Sequence, residues 1–166
     1  MDKNSILVGR SGGTAWVRVV GRGSFKNAPH VKRFADEVMQ QGVTGFVVDL
    51  GKCAHMDSTF MGILAGLNLR LKKGGQSELV VVNVAKRNME LLHNLGLDKI
   101  LRVEEKPMEG EIPQASPLAG GQETPQQIVK TMLEAHETLL EVDQRNVVKF
   151  QDVITYLRHE LGVKDV

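Results

Sequence analysis

Gly45-Phe46-Val47-Val48-Asp49-Leu50, then Gly51-Lys52-Cys53-Ala54-His55-Met56, then Asp57-Ser58-Thr59-Phe60-Met61-Gly62-Ile63-Leu64 is the stretch that decides the fold. An apolar run ends in an acid, a short irregular loop is expected over 51–56, and Asp-Ser-Thr is a start signal for an amphipathic helix. This is the pattern of a buried strand whose C-terminal end leads to a hydroxyl facing solvent. Ser58 falls in the first helical turn, where backbone amides are unpaired and the helix dipole favours negative charge, so a phosphate can be held there.

Upstream, Ile6-Leu7-Val8 and Thr14-Ala15-Trp16-Val17-Arg18-Val19-Val20 flank the turn Gly9-Arg10-Ser11-Gly12-Gly13 and read as a β-hairpin, with Trp16, Arg18 and Val20 on one face. Gly21-Arg22-Gly23-Ser24 lacks the third glycine or the lysine of a nucleotide loop and reads as a turn. Asn27 is placed to cap a helix with Pro29 in its first turn and Val31, Phe34, Ala35, Val38 and Met39 on its inner side, stopping at Gln41-Gly42.

Downstream, the helix opening at Asp57 carries Phe60, Ile63, Leu64, Leu67 and Leu71 on one side and Asn68, Arg70, Lys72 and Lys73 on the other. Its small residues Gly62, Ala65 and Gly66 call for close backbone approach to the sheet or to a partner, since a helical glycine costs about 1 kcal/mol against alanine. A strand over 78–83, a helix over 85–95 with Met89, Leu92 and Leu95 inward, a Gly96-Leu97 stop and an edge strand over 100–103 complete the order β-β-α-β-α-β-α-β. The expected fold is therefore α/β, a single mixed sheet with helices stacked on it, in a domain over 1–103.

Residues 104–124, with Pro107, Pro113, Pro117, Gly110, Gly120 and Gly121, read as a flexible linker. Residues 125–166 read as a helical hairpin. Thr124-Pro125 starts its first helix, which carries Ile128, Met132, Ala135, Leu139 and Val142. Its second helix, from about Asn146, carries Val147, Phe150, Ile154, Leu157 and Leu161. That stripe is too small to be a domain alone, so it must pack on the α/β body, on a second copy or on a partner.

Composition narrows the function classes. Against 20 acidic side chains stand 21 basic ones, a net charge of +1, and only 4% of residues are aromatic, so neither nucleic acid nor a membrane surface is an expected partner. The single Cys53 excludes an internal disulfide, and with no signal core or spanning stretch a cytoplasmic location is expected. Cys53 and His55 lack a second ligand pair at metal spacing, so no metal and no cofactor is expected. His93, His136 and His159 read as surface residues. Asp49 has no nucleophile elbow, phosphate loop or paired carboxylate to work with, so no catalytic residue is assigned and the chain does not read as an enzyme.

Val47-Val48-Asp49-Leu50 followed by Met56-Asp57-Ser58-Thr59, with Gly62 and the leucine-rich helix behind, resembles the STAS family, which includes the anti-sigma factor antagonists of bacteria. The element order over residues 5 to 103 matches as well. The resemblance implies a phosphoprotein of signal transduction and transcription regulation. Ser58 would be the phosphoacceptor, with Thr59 the alternative hydroxyl, and Asp57 its acidic neighbour. The partners implied are an anti-sigma factor serine kinase, bound by the unphosphorylated domain so that a sigma factor is freed, and a serine phosphatase.

The partner surface is expected on Asp57, Ser58, Thr59, Phe60, Met61 and Gly62, joined by Ser24. Two positions depart from the family pattern. Phe60 and Met61 precede Gly62 where the family commonly has a glycine directly after the hydroxyl pair, and Ser24 stands where antagonists usually carry an acid. The alternative reading is a constitutive scaffold or sensor that forms homo-oligomers through residues 125–166. A third is a small-ligand binder at Asp49 and Ser58.

Overall fold

The computed structural model describes residues 4–75, 78–121 and 123–162. The parts of the expected domain, linker and hairpin at 1–3, 76–77, 122 and 163–166 lie outside the described residues. Among the described residues, six strands and five α-helices follow one another as β1 (Ser5–Ser11), β2 (Thr14–Gly23), α1 (Ala28–Gln40), β3 (Gly45–Met56), α2 (Ser58–Lys73), β4 (Leu79–Val82), α3 (Lys86–Asn94), β5 (Arg102–Val103), β6 (Ser116–Pro117), α4 (Pro125–Val142) and α5 (Arg145–Glu160). They build one mixed sheet in the order β5-β4-β3-β2-β1-β6. β2, β3, β4 and β5 run parallel to one another, whereas β1 is antiparallel to both β2 and β6.

Strand alternation sets the two faces of the sheet. Val8, Val17, Val48 and Val81 stand in one row across four strands, and Ala15, Phe46 and Leu79 in the next, all buried. Helical side chains Val31, Ala35, Phe60, Leu64, Leu67, Leu71 and Leu92 join the same core. Each fully buried Leu or Phe contributes about 1.5–3 kcal/mol relative to exposure. The other face carries the half-buried Trp16, Arg18 and Val20, as their shared period predicts.

Several local expectations are corrected. Residues 51–56 are not an irregular loop but the second half of β3. β2 is long enough to keep pairing with them through two register shifts, which place Cys53 opposite Gly21 and Met56 opposite Gly23. Asn27 does not cap α1: its backbone is already helical and its side chain folds back, Oδ1 accepting from Ser24 N at 2.8 Å and Nδ2 donating to Arg22 O at 2.9 Å. The edge strand expected over 100–103 is only the two residues of β5, because a 3-10 turn over Leu97–Lys99 takes up the chain before it.

Asn68, expected on the polar side of α2, is fully buried. Its Oδ1 accepts from Leu79 N at 3.2 Å and its Nδ2 donates to Ile100 O at 3.1 Å, joining α2 to the start of β4 and the end of the 3-10 turn.

The 104–124 segment, expected to lack secondary structure, supplies β6 and wraps the body. Asn83, at φ 57°, exchanges two hydrogen bonds with the Met108 backbone, and Arg18 Nη2 donates to Gly110 O at 3.2 Å. Ile112 is buried, and β6 then pairs on the β1 edge. Beyond it Arg33 holds Ala119 O, and Glu123 pairs with both His30 and Arg33 of α1. The strap thus carries the chain past the Trp16–Arg18 face and round the β1 edge to the helical side. There α4 starts with the expected cap, a reciprocal Thr124–Gln127 box.

Asn68→Ala should leave a buried amide and a buried carbonyl without partners, lowering stability by ~3 kcal/mol. Urea denaturation should show this as a lower midpoint with an unchanged slope.

Candidate functional site

The junction of β3 and α2 is held by one side chain. Asp57 has extended backbone and caps α2, Oδ1 accepting from Phe60 N at 2.9 Å, while Oδ2 accepts from Phe25 N at 2.8 Å in the β2–α1 loop. Its own N–H donates to Gly23 O at 2.9 Å. Strand end, helix start and the Ser24 loop therefore meet on Asp57. Ser24 stays local, its Oγ accepting from Lys26 N at 3.2 Å. Phe60 points inward and is fully buried on Gly23, where a Cβ would stand 2.7 Å from its ring. The bulk at this position is thus absorbed by the core and does not crowd the surface of the helix start.

Ser58 is the first residue of α2 and is half-buried. Its Oγ lies 2.8 Å from Nε2 of His136 on α4. The other ring nitrogen, Nδ1, is 2.6 Å from Met132 O, a pure acceptor, so Nδ1 carries a proton. In the neutral ring Nε2 then accepts from the Ser58 hydroxyl. Phe150 of α5 closes the far side edge-on at 5.1 Å.

His136 is therefore not a surface residue as expected; it is 3% exposed and faces the Ser58 hydroxyl. Its signal was present in Met132, His136 and Leu140, residues four apart along α4, of which Met132 and Leu140 pack on the cluster shared with α5 while Ala135 and Leu139 face the body.

The remaining expected site residues divide clearly. Thr59 and Met61 are buried, and Gly62 lies under Ala135 of α4. Asp49 sits in mid-strand on the opposite face, bonded to Arg18 Nε at 2.9 Å, Gly51 N at 2.8 Å and Asn83 Nδ2 at 3.1 Å. Burial pushes its carboxyl up, but the Gly51 amide, Asn83 and the Arg18 guanidinium together outweigh this and hold it below its ordinary value. Asp49 anchors the open face of the sheet and is not brought to Ser58.

Cys53 is buried, with burial pushing its thiol up, and the Asn88 side chain donates to its carbonyl at 2.9 Å. Among the described residues no group of three or more His, Cys, Asp or Glu is placed to hold a metal ion. Nor is any described helix long and apolar enough to cross a membrane.

Solved structures of anti-sigma factor antagonists share this fold. An anti-sigma factor antagonist from Mycobacterium paratuberculosis superposes with a TM-score of 0.54 at 24% identity, over 62% of this chain and 86% of that one. The antagonist SpoIIAA in its unphosphorylated form gives 0.52 at 14% identity, over 61% and 89%. The phosphorylated Bacillus cell fate determinant SpoIIAA gives 0.51 at 14%, over 61% and 93%. At these identities the likeness is one of fold.

A family model described as "Mlab, STAS domain" matches residues 6–103, and the chain belongs to the STAS domain family. No curated protein sequence matches the chain. The strap and the α4–α5 hairpin lie beyond the matched residues.

The lowered pKa of Asp49 has a defined consequence for stability. A folded pKa below the unfolded one adds stability above the unfolded value, and that stability is lost as pH falls through the folded value. Asp49→Asn should therefore lower the urea midpoint at neutral pH. The gap from the native protein should narrow below about pH 4, the ordinary carboxylate range, and close at more acid pH.

Proposed function

We propose that this protein is a phosphorylation-switched binding module in which Ser58 is the phosphoacceptor and the start of α2 is the partner surface. With Ser58 unmodified, the module sequesters an anti-sigma factor serine kinase and so frees a sigma factor. With phosphate on Ser58 it lets the kinase go, and a serine phosphatase resets it. On this reading it is a cytoplasmic regulator of transcription and not an enzyme.

One observation carries the reading. The Ser58 hydroxyl stands in the first turn of a capped helix and finds its hydrogen-bond partner, His136, outside the STAS body. A hydroxyl that looks out of its own domain is available to an outside group once that partner moves. A phosphate there would lie at the amino end of α2, where the dipole and free amides favour it, but beside the Asp57 carboxylate. It would therefore alter the face that a partner meets more than it would alter the core. Support also comes from the similar fold of SpoIIAA, solved in both phosphorylated and unphosphorylated forms.

Incubation with the cognate anti-sigma factor kinase and ATP should add one phosphate to the intact protein and none to Ser58→Ala. In pull-downs Ser58→Ala should capture the kinase, and Ser58→Asp should capture it about tenfold less well, equivalent to ~1.4 kcal/mol. Phosphate on Ser58→Ala at a second hydroxyl would move the assignment to a neighbour such as Thr59. Equal capture by native protein, Ser58→Ala and Ser58→Asp would instead favour the constitutive scaffold.

A further inference from the structure

α4 lies on the same face of α2 that opens with Ser58. The two helices approach backbone to backbone: a Cβ on Gly62 would stand 2.4 Å from the Ala135 carbonyl oxygen, and one on Gly66 would stand 3.7 Å from Thr138 Oγ1. Met61, Gly62 and Ala65, which an outside partner would have to touch, are buried. The small residues of α2 are thus explained by a helix, and that helix belongs to the chain itself.

The two helices of the hairpin also share a core of their own. Leu133, Ile154 and Leu157 form a cluster of their own, supported by Met132 and Phe150, whereas Ala135 and Leu139 of α4 enter the core of the body, with Val142 and Phe150 packed against it. Much of the remaining attachment is polar, part-buried in its ion pairs and fully buried at Asn146. Lys32 pairs with Glu134, Glu123 with His30 and Arg33, Asn146 Nδ2 donates to Leu95 O at 3.0 Å, and Lys149 reaches Asn94 O.

We infer that the α4–α5 hairpin is an intramolecular competitor for the Ser58 face. It occupies a helix-reading groove that an outside partner reaches only after the hairpin lifts off as a unit, and it takes its purpose from the switching role proposed above. The groove defines the partner chemistry: an α-helix with a small residue opposite Gly62 and a hydrogen-bonding side chain opposite Ser58. A phosphate on Ser58 and the docked His136 ring cannot share the 2.8 Å between Oγ and Nε2. Modification and docking are therefore mutually exclusive.

Hydrogen exchange on the full chain tests this without any partner. Amides of α4 and α5 should share one opening at least about tenfold more frequent than that of β2, β3 and β4. Hairpin amides that exchange only with the sheet would overturn the inference. Gly62→Ala, which favours the α2 helix but collides with Ala135, should raise hairpin exchange at least about tenfold further and leave the sheet unchanged. Unchanged hairpin protection in that variant would also overturn it.

A lock made from Gly66→Cys and Thr138→Cys in a Cys53→Ala background should abolish the opening when oxidised and regain it on reduction. The oxidised lock should neither bind the kinase nor accept phosphate, and the reduced form should do both. Opening without any phosphate on Ser58 would leave the competitor standing and sink the proposed function. Phosphate accepted equally by the oxidised lock would sink the competitor and leave the function.

Discussion

A single carboxylate, Asp57, fixes the geometry on which the site depends. One oxygen satisfies an orphan amide of α2 and the other holds the β2–α1 loop, while the residue's own N–H is taken by Gly23. The end of β3, the start of α2 and the loop carrying Ser24 are therefore set by three hydrogen bonds to one residue. A cap of this kind contributes about 1 kcal/mol to a helix. Here it also sets the direction of the next side chain, so the orientation of the Ser58 hydroxyl follows from the stability of the junction.

The core of the fold was legible because it depends on short-range pattern. Val17, Val48 and Val81 sit in runs whose alternation or continuous apolarity marks strands, and the leucines of α2 recur at the helical period. The second half of β3 was not legible. Lys52 and His55 follow no alternation, and they pair only because β2 continues beside them through its bulges. β6 was hidden for a related reason: two residues, one of them a proline, carry no period, and it exists because β1 offers an open edge.

The helix start at Asp57 and Ser58 was legible from its capping signal, whereas the enclosure of His136 was not. A histidine between two apolar stripes is exposed on a helix that buries one face and enclosed on a helix that buries two. Which of these α4 would be depended on whether the hairpin folds back, and nothing local to residues 125–162 decides that. The matching clue lay elsewhere, in Gly62 and Gly66, whose cost within a helix required a close neighbour. Asn68 was misread in the same way, because a buried amide with two backbone partners looks polar in any projection of the helix.

The strap that ties the hairpin to the body has a further consequence. Its bonds from Asn83 to Met108 and along β1 to β6 place the start of α4 close to its groove even when α4 is away from it. Short tethers of this kind hold a ligand at an effective concentration in the millimolar range. A free helix present at micromolar concentration would need roughly a thousandfold better intrinsic affinity for the groove to displace it half the time. Shortening or lengthening the chain between β6 and α4 would therefore set the partner concentration at which the switch responds, without altering a single residue of the groove.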